Sequence, residues 1–309
     1  MNRINIVSSG FRRMCTLLGV SMVLTFSLHA APLRVVTTTA MVWDMVSRIG
    51  GDQVLVDYLM GPGVDPHLYK ATASDVRKLQ RAQVIFYNGL FLEGKMQEIF
   101  ERMAREGRSV VAITHSIDHD RLIHPHDSTG HPDPHIWFDT ALWAECIAEV
   151  VEALQVVVPA AADQFAAQGQ VVREEMQELH EWVQRKVAEL PAVKRILVTS
   201  HDAYGYFGRA YGFQVVGLQG ISTVSEAALA DMARLVDFIE ERDIQAIFVE
   251  TSVPHATIER IATDADVAVG GELFSDAMGT PGQIEHGYDL GTYEGMVRHN
   301  VTTIVDALK

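Results

Sequence analysis

The sequence predicts an α/β protein of two lobes, each built on a parallel sheet, joined by a single long helix. Three observations carry this. Apolar, strand-like runs alternate with helical patterns near both ends of the 309-residue chain, the arrangement that yields parallel sheets with right-handed crossovers. No strand signal appears between Thr140 and Leu190. The chain is also longer than one hydrophobic core usually serves, about 250–300 residues.

In the first lobe, Leu33–Thr39, Val54–Met60, Val84–Asn88 and Ser109–Ile113 read as strands, with Met41–Ile49 and Met96–Arg105 as helices. The stretches Thr140–Val157 and Ala160–Leu190 read as helical. Pro159 suits a helix start and Pro191 lies beyond its stop. About 30 helical residues would span ~45 Å at 1.5 Å per residue. Strands return at Arg195–Ser200, Phe213–Gly217, Ala246–Glu250 and Val267–Gly271. Helices are expected near Tyr204–Tyr211, Ser225–Arg242, Pro254–Ala262 and Tyr293–Leu308. The expected organisation is residues 32–158, a linking helix at 159–190, and residues 191–309.

The first 31 residues are set apart. Arg3, Arg12 and Arg13 precede an apolar stretch from Leu17 to Leu28 and then His29-Ala30-Ala31, the pattern of a cleaved secretory signal. The apolar run falls short of the about 20 residues that span a bilayer. Cys15 precedes the run rather than following it, which argues against lipid anchoring at a cysteine. Export to a bacterial periplasm is the expectation. Cleavage would leave one thiol, Cys146, and so no intramolecular disulfide. It would also leave 22 Lys and Arg against 40 Asp and Glu, a net charge of −18. Such a surface excludes nucleic acid and anionic lipid as natural partners.

Ligands of open parallel sheets bind beyond the carboxyl ends of the strands. Four side chains stand there. His67 follows the second strand in GPGVDPHLY, and His135 lies in PDPHIWFD, so an Asp-Pro-His tripeptide occurs twice. His201 directly follows the strand RILVTS, and Asp276 lies beyond a later strand in GGELFSDAMG. Each lobe thus offers two candidate ligands. Three neutral imidazoles and one carboxylate suit a divalent first-row metal such as zinc. One thiol in the mature chain argues against thiolate or iron–sulfur chemistry.

Further stretches carry a resemblance. LMGPGVDPHLYKATASDV, YNGLFLEGKM, DPHIWFD, LVTSHDAYGYFGRAYGF, GLQGISTVSEA, GGELFSDAMG and TYEGMVRHN span the chain beyond residue 31. In this order they resemble the TroA-like, cluster A-I solute-binding proteins of zinc/manganese ABC transporters. The resemblance implies two Rossmann-like lobes of the TroA-like/chelatase-like kind, tied by the long helix. It implies one Zn2+ or Mn2+ between them, held by His67, His135, His201 and Asp276. It further implies a monomer that hands the ion to an ABC permease in the inner membrane, and no enzymatic activity. Manganese-selective members resemble this chain but typically have Glu where His201 stands, so zinc is favoured here.

A secreted metallohydrolase and a metal-dependent adhesin are the alternative classes. A hydrolase would need an open coordination position, which Asp276 fills. His115, His119, His124, His126 and His131, among Asp118, Asp120, Asp127 and Asp133, form a histidine-rich loop before His135. It is a candidate for weak metal collection. His180, His255, His286 and His299 read as structural or solvated. Asp65, Asp133, Asp202 and Glu250 are candidates to orient an imidazole through its second nitrogen. Trp137, Tyr204, Tyr206 and Phe207 read as packing around the cleft. Because imidazole must be neutral to bind, affinity should fall as pH drops through about 6.5.

Overall fold

The computed structural model describes residues 31–125 and 130–309. The expected signal peptide, apart from Ala31, lies outside the described residues, as do His126 and Asp127 of the histidine-rich loop. None of the described helices is long and apolar enough to cross a membrane.

The first lobe runs β1 (Leu33–Thr37), α1 (Ala40–Gly50), β2 (Val54–Tyr58), α2 (Ala73–Arg81), β3 (Val84–Tyr87), α3 (Lys95–Arg105) and β4 (Ser109–Ala112). Its four strands are all parallel, in the order β2-β1-β3-β4. Helices α4 (Thr140–Trp143), α5 (Ile147–Val157) and α6 (Ala162–Val187) follow. The second lobe runs β5 (Ile196–His201), α7 (Gly205–Tyr211), β6 (Gln214–Gln219), α8 (Leu229–Glu241), β7 (Ala246–Glu250), α9 (Ala256–Asp264) and β8 (Ala268–Leu273). A small antiparallel hairpin, β9 (Ile284–Glu285) and β10 (Tyr288–Asp289), precedes the final helix α10 (Tyr293–Leu308).

In the second lobe β5 pairs parallel with β6 and β7 parallel with β8, with β5 lying beside β7. The first lobe's sheet runs second, first, third, fourth, and the second lobe sets its two hydrogen-bonded pairs side by side in the same order. Strand order reverses between β1 and β3 and again between β5 and β7, which is where such sheets open a crevice for ligand.

The central strands β3 (VIFY) and β7 (AIFVE) are buried along their whole length because both of their faces are covered. Side chains alternate across the pleat, and the packing follows that alternation. Val35, Val84 and Phe86 face the main core, whereas Val36, Ile85 and Tyr87 face a second cluster with Leu79 and Phe100. In the second lobe Leu197 and Phe248 face the main core, whereas Val198, Ile247 and Val249 pack with Leu235, Ile239 and Ile258. The main core is continuous, from Met41 and Met45 on α1, through Phe165 and Met176 on α6, to Met296 and Ile304 on α10.

The linking helix α6 has 26 residues, about 39 Å at 1.5 Å per residue, shorter than the sequence suggests. Pro159–Ala161 form a separate tight turn before it. It packs on α1, α4, α5 and α10, so it is a shared wall and not a bare strut. Helix α2 is not among the sequence expectations, because only Asp75 and Leu79 of its nine residues are buried and no apolar stripe marks it. Helix α8 starts at Leu229 and not Ser225.

Candidate metal centre

Local sequence sets each candidate ligand before tertiary packing does. In both Asp-Pro-His segments the Asp side chain accepts the His backbone N–H two residues on. Asp65 Oδ1 takes it from His67 at 2.8 Å and Asp133 Oδ1 from His135 at 2.9 Å. This closed Asx turn, with proline fixing the intervening residue, presents both imidazoles alike. His201 ends β5 and is held by its backbone N–H, which donates to Glu250 Oε1 at 2.9 Å. Gly217 on β6 makes room for this: a Cβ there would lie 2.4 Å from the Asp202 nitrogen. Asp276 follows β8, whose exit is gripped by α10. The Asn300 side chain accepts from Phe274 N–H at 2.9 Å and donates to Phe274 O at 2.7 Å.

The four side chains converge. One donor atom from each of His67, His135, His201 and Asp276 lies within 4.8 Å of all the others. His67 Nε2 is 3.3 Å from His135 Nε2. Asp276 Oδ1 is 3.3 Å from His135 Nε2, and Asp276 Oδ2 is 3.3 Å from His201 Nε2 and 3.9 Å from His67 Nε2. Three of the four are fully enclosed: His135 and His201 are 0% exposed and Asp276 is 1% exposed. Among the described residues neither Asp276 oxygen nor His201 Nε2 has a hydrogen-bond partner. Buried polar atoms are normally paired, and a cation among these atoms would pair them. Tetrahedral zinc with bonds of about 2.0–2.1 Å would set its ligand atoms roughly 3.3 Å apart, the spacing that recurs here.

The rear nitrogens differ. His135 Nδ1 lies 2.7 Å from Asp133 Oδ1. His201 Nδ1 lies 2.6 Å from Glu250 Oε2, in contact but without good hydrogen-bond alignment. His67 Nδ1 has no such partner among the described residues; its Asp65 holds the backbone, and reaches the other lobe by accepting from Thr223 Oγ1 at 2.6 Å. Of the four carboxylates expected to orient imidazoles, Asp133 and Glu250 therefore meet rings, whereas Asp65 sets a turn. Asp202 bonds to no ring among the described residues.

Electrostatics follow from these contacts. Burial would lower the basicity of His135, but the carboxylates of Asp133 and Asp276 outweigh it and push its pKa up to about 9. Burial is likewise outweighed at His201, where Glu250 and Asp276 raise the pKa well above the usual value. At Asp276 burial alone would raise the pKa; His201 and His135 hold it well below the carboxylate range. His67 is lowered to about 3, chiefly by burial.

Other contacts join the ligand loops. Trp137 Nε1 donates to Ser275 O at 3.0 Å, Tyr204 OH to Phe274 O at 3.1 Å and Tyr206 OH to Asp133 O at 2.9 Å. These residues pack around the cleft as expected and, in addition, tie ligand segments by hydrogen bonds. Glu93 is a residue that sequence reasoning passes over. It is 1% exposed, and its carboxylate accepts from Thr38 Oγ1, Asn88 N and Gly89 N at 2.7, 2.7 and 3.2 Å. It closes the β1/β3 crevice beneath the site; the run of three threonines at the end of β1 is the one sequence signal for it.

A cavity of about 420 Å³ opens over His67, bordered by Leu90, Phe91, Ile221 and Val224. Leu90 and Phe91 have φ of 54° and 68°, and Leu92 N–H bonds to Gly89 O at 3.1 Å. Turns with two left-handed residues normally use Asn-Gly. The Leu-Phe pair costs about 1–2 kcal/mol per residue, stored at the mouth of the site. Phe91 also stacks on His131 with 4.2 Å between ring centroids. The rings of His119 and His124 lie 4.3 Å apart, tilted by 34°, but the histidine-rich loop brings no group of three donors together among its described residues.

Three imidazoles and a carboxylate meeting between two parallel α/β lobes could hold one metal ion, in the architecture of a two-lobed solute-binding protein. The chain belongs to the ZnuA family, described as zinc-uptake complex component A, periplasmic, whose model matches residues 35–307. It is similar to the zinc-binding protein TroA of Treponema pallidum, 47% identical over 279 residues, covering 89% of this chain and 88% of that protein. It is also similar to the manganese-binding lipoprotein MntA of Bacillus subtilis, 43% identical and covering 90% of each. The solved structure of periplasmic zinc-binding protein TroA superposes with a TM-score of 0.85 at 46% identity, covering 90% of this chain and 99% of that one. The family is one of solute-binding components, not enzymes, which removes the metallohydrolase alternative.

Two outcomes are expected. Replacing Glu250 with Gln leaves His201 without its charged orienting partner and should weaken zinc binding about 10–100-fold, read by chelator competition. Unchanged affinity would remove Glu250 from the site. Metal entry must also displace protons from His135 and His201, whose affinity for protons is raised. Zinc affinity should therefore keep rising with pH from 6 to 9, beyond the 6.5 of ordinary histidine, with proton release at pH 7.5 visible by calorimetry in buffers of differing ionisation enthalpy. A plateau above pH 7 would contradict this.

Proposed function

We propose that the chain captures one divalent transition-metal ion, zinc or manganese, on His67, His135, His201 and Asp276, and delivers it to the membrane permease of an ABC importer. The observation that carries this is the enclosed cluster itself: four donor atoms within 4.8 Å of one another, with both Asp276 oxygens lacking hydrogen bonds among the described residues. The zinc and manganese named for its relatives TroA and MntA support the same cargo. Three imidazoles to one carboxylate favour zinc in binding strength, since manganese prefers more oxygen.

Residues 1–31 act in this reading as a cleaved signal for export to the periplasm. The mature protein works as a monomer, because one chain supplies all four ligands. Residues 32–158 and 191–309 contribute two ligands each, and residues 159–190 link them. The continuous core beneath the lobes resists a wide hinge, so loading and release proceed by movement of ligands and loops.

His67 is the ligand that yields. Its side chain is the one in contact with the cavity, at 4% exposure against 0% for the other three. Among the described residues it also lacks a carboxylate of the kind that anchors the other two rings. An ion entering from the cavity meets His67 first and leaves past it last.

Chelator-competition and stopped-flow measurements on two variants test this reading. His201→Ala should lower zinc affinity by at least about a hundredfold, a larger loss than for an orienting residue, with the apo protein still folded. His67→Ala should cost less affinity and act through faster dissociation. Unchanged metal content in His201→Ala overturns the ligand set, and a larger loss in His67→Ala than in His201→Ala overturns the role of His67.

A further inference from the structure

Among the described residues, the central cluster alone brings three or more donor atoms within 4.8 Å of one another. A second pair of imidazoles nevertheless meets where hairpin β9–β10 folds against α10. His299 on α10 is 6% exposed, and its Nε2 lies 3.1 Å from the backbone oxygen of Glu272. That contact places a ring N–H on Nε2 and, in the neutral ring, leaves Nδ1 with a lone pair. Nδ1 has no hydrogen-bond partner among the described residues, and 3.4 Å in front of it stands Glu285 Oε2. A lone pair facing a carboxylate is two Lewis bases in repulsion unless a proton or a metal cation lies between them, and a second imidazole close by suits the metal.

The third donor comes from the hairpin turn. Glu285 pairs with Tyr288, so His286 and Gly287 form a two-residue connection. Their φ values of 51° and 83° are those of a type I′ turn. This conformation returns the His286 ring to within 5.6 Å of the His299 ring, centroid to centroid. In the central cluster the three imidazole pairs are separated by 5.3, 5.4 and 6.1 Å. The outer pair thus has the spacing of rings that converge on one point, and His286, being exposed, is free to rotate its nitrogen inward.

We propose that Glu285, His286 and His299 form a second site for a borderline divalent cation such as zinc. Histidine ligands commonly donate their other N–H to a backbone carbonyl, as His299 does to Glu272. Two imidazoles, one carboxylate and water make a weaker site than the central one, and its exposed side keeps it exchangeable. An ion here pins the hairpin, which follows the Asp276 segment in the chain, to the helix whose Asn300 grips Phe274.

Calorimetry and bound-metal analysis of apo protein titrated with Zn2+ alone test the site. The wild type should take up a tight zinc and a weaker second one. H286A and E285Q, both at exposed positions, should each remove the second event or weaken it at least tenfold while leaving the tight one intact. H201A should do the reverse. A triple variant with Ala at His115, His119 and His124 separates the histidine-rich loop and should retain the second zinc. Uptake of one zinc only, or a second zinc that survives H286A and E285Q, overturns the proposal.

Discussion

The structure turns on one buried carboxylate. Asp276 is shut off from water, with three imidazoles around it and no hydrogen bond to either oxygen among the described residues. An isolated carboxylate in such a place is strongly unfavourable. Protons on His135 and His201 offset the charge when no metal is bound, and a divalent ion would offset it better. The surroundings keep that cluster together. Trp137 and Tyr204 bond to the backbone at Ser275 and Phe274, Asn300 grips the end of β8, and Asp65 reaches across to Thr223.

The same constraint explains why two lobes share one core. If each sheet packed only on its own outer helices, the lobes could drift by ångströms and the 3.3 Å contacts would fail. Instead α6 and α10 join a continuous apolar layer that runs beneath both sheets. Enclosure is least at the edge, at His67, the strained Leu90–Phe91 turn and the loops at the cavity mouth. A rigid rear and a yielding front suit a protein that must bind tightly and still give up its cargo.

Much of this is readable from the chain because the relevant physics is local. A strand end places His201, and a repeated Asp-Pro-His turn places His67 and His135 without help from distant residues. Fully buried parallel strands such as VIFY and AIFVE announce themselves by unbroken apolarity. What escapes is tertiary. Glu93 matters only because β1 and β3 are neighbours, which brings Thr38 to its carboxylate. Helix α2 is largely solvated and carries no stripe. His286 and His299, read from sequence as a loop residue and a helix residue, approach each other only when the hairpin closes on α10. The difference between Asp65 and Asp133 is likewise invisible in two identical tripeptides: Asp133 Oδ1 meets the ring of His135 as well as its backbone, whereas Asp65 turns its second oxygen to Thr223 of the opposite lobe.

The most direct test of the central cluster is X-ray absorption at the zinc edge on wild-type protein loaded with one equivalent of the metal. The account predicts three imidazole nitrogens and carboxylate oxygen as the whole inner shell, with distances of about 2.0–2.2 Å and no sulfur. A shell with fewer than three imidazoles, or one dominated by water, would contradict it.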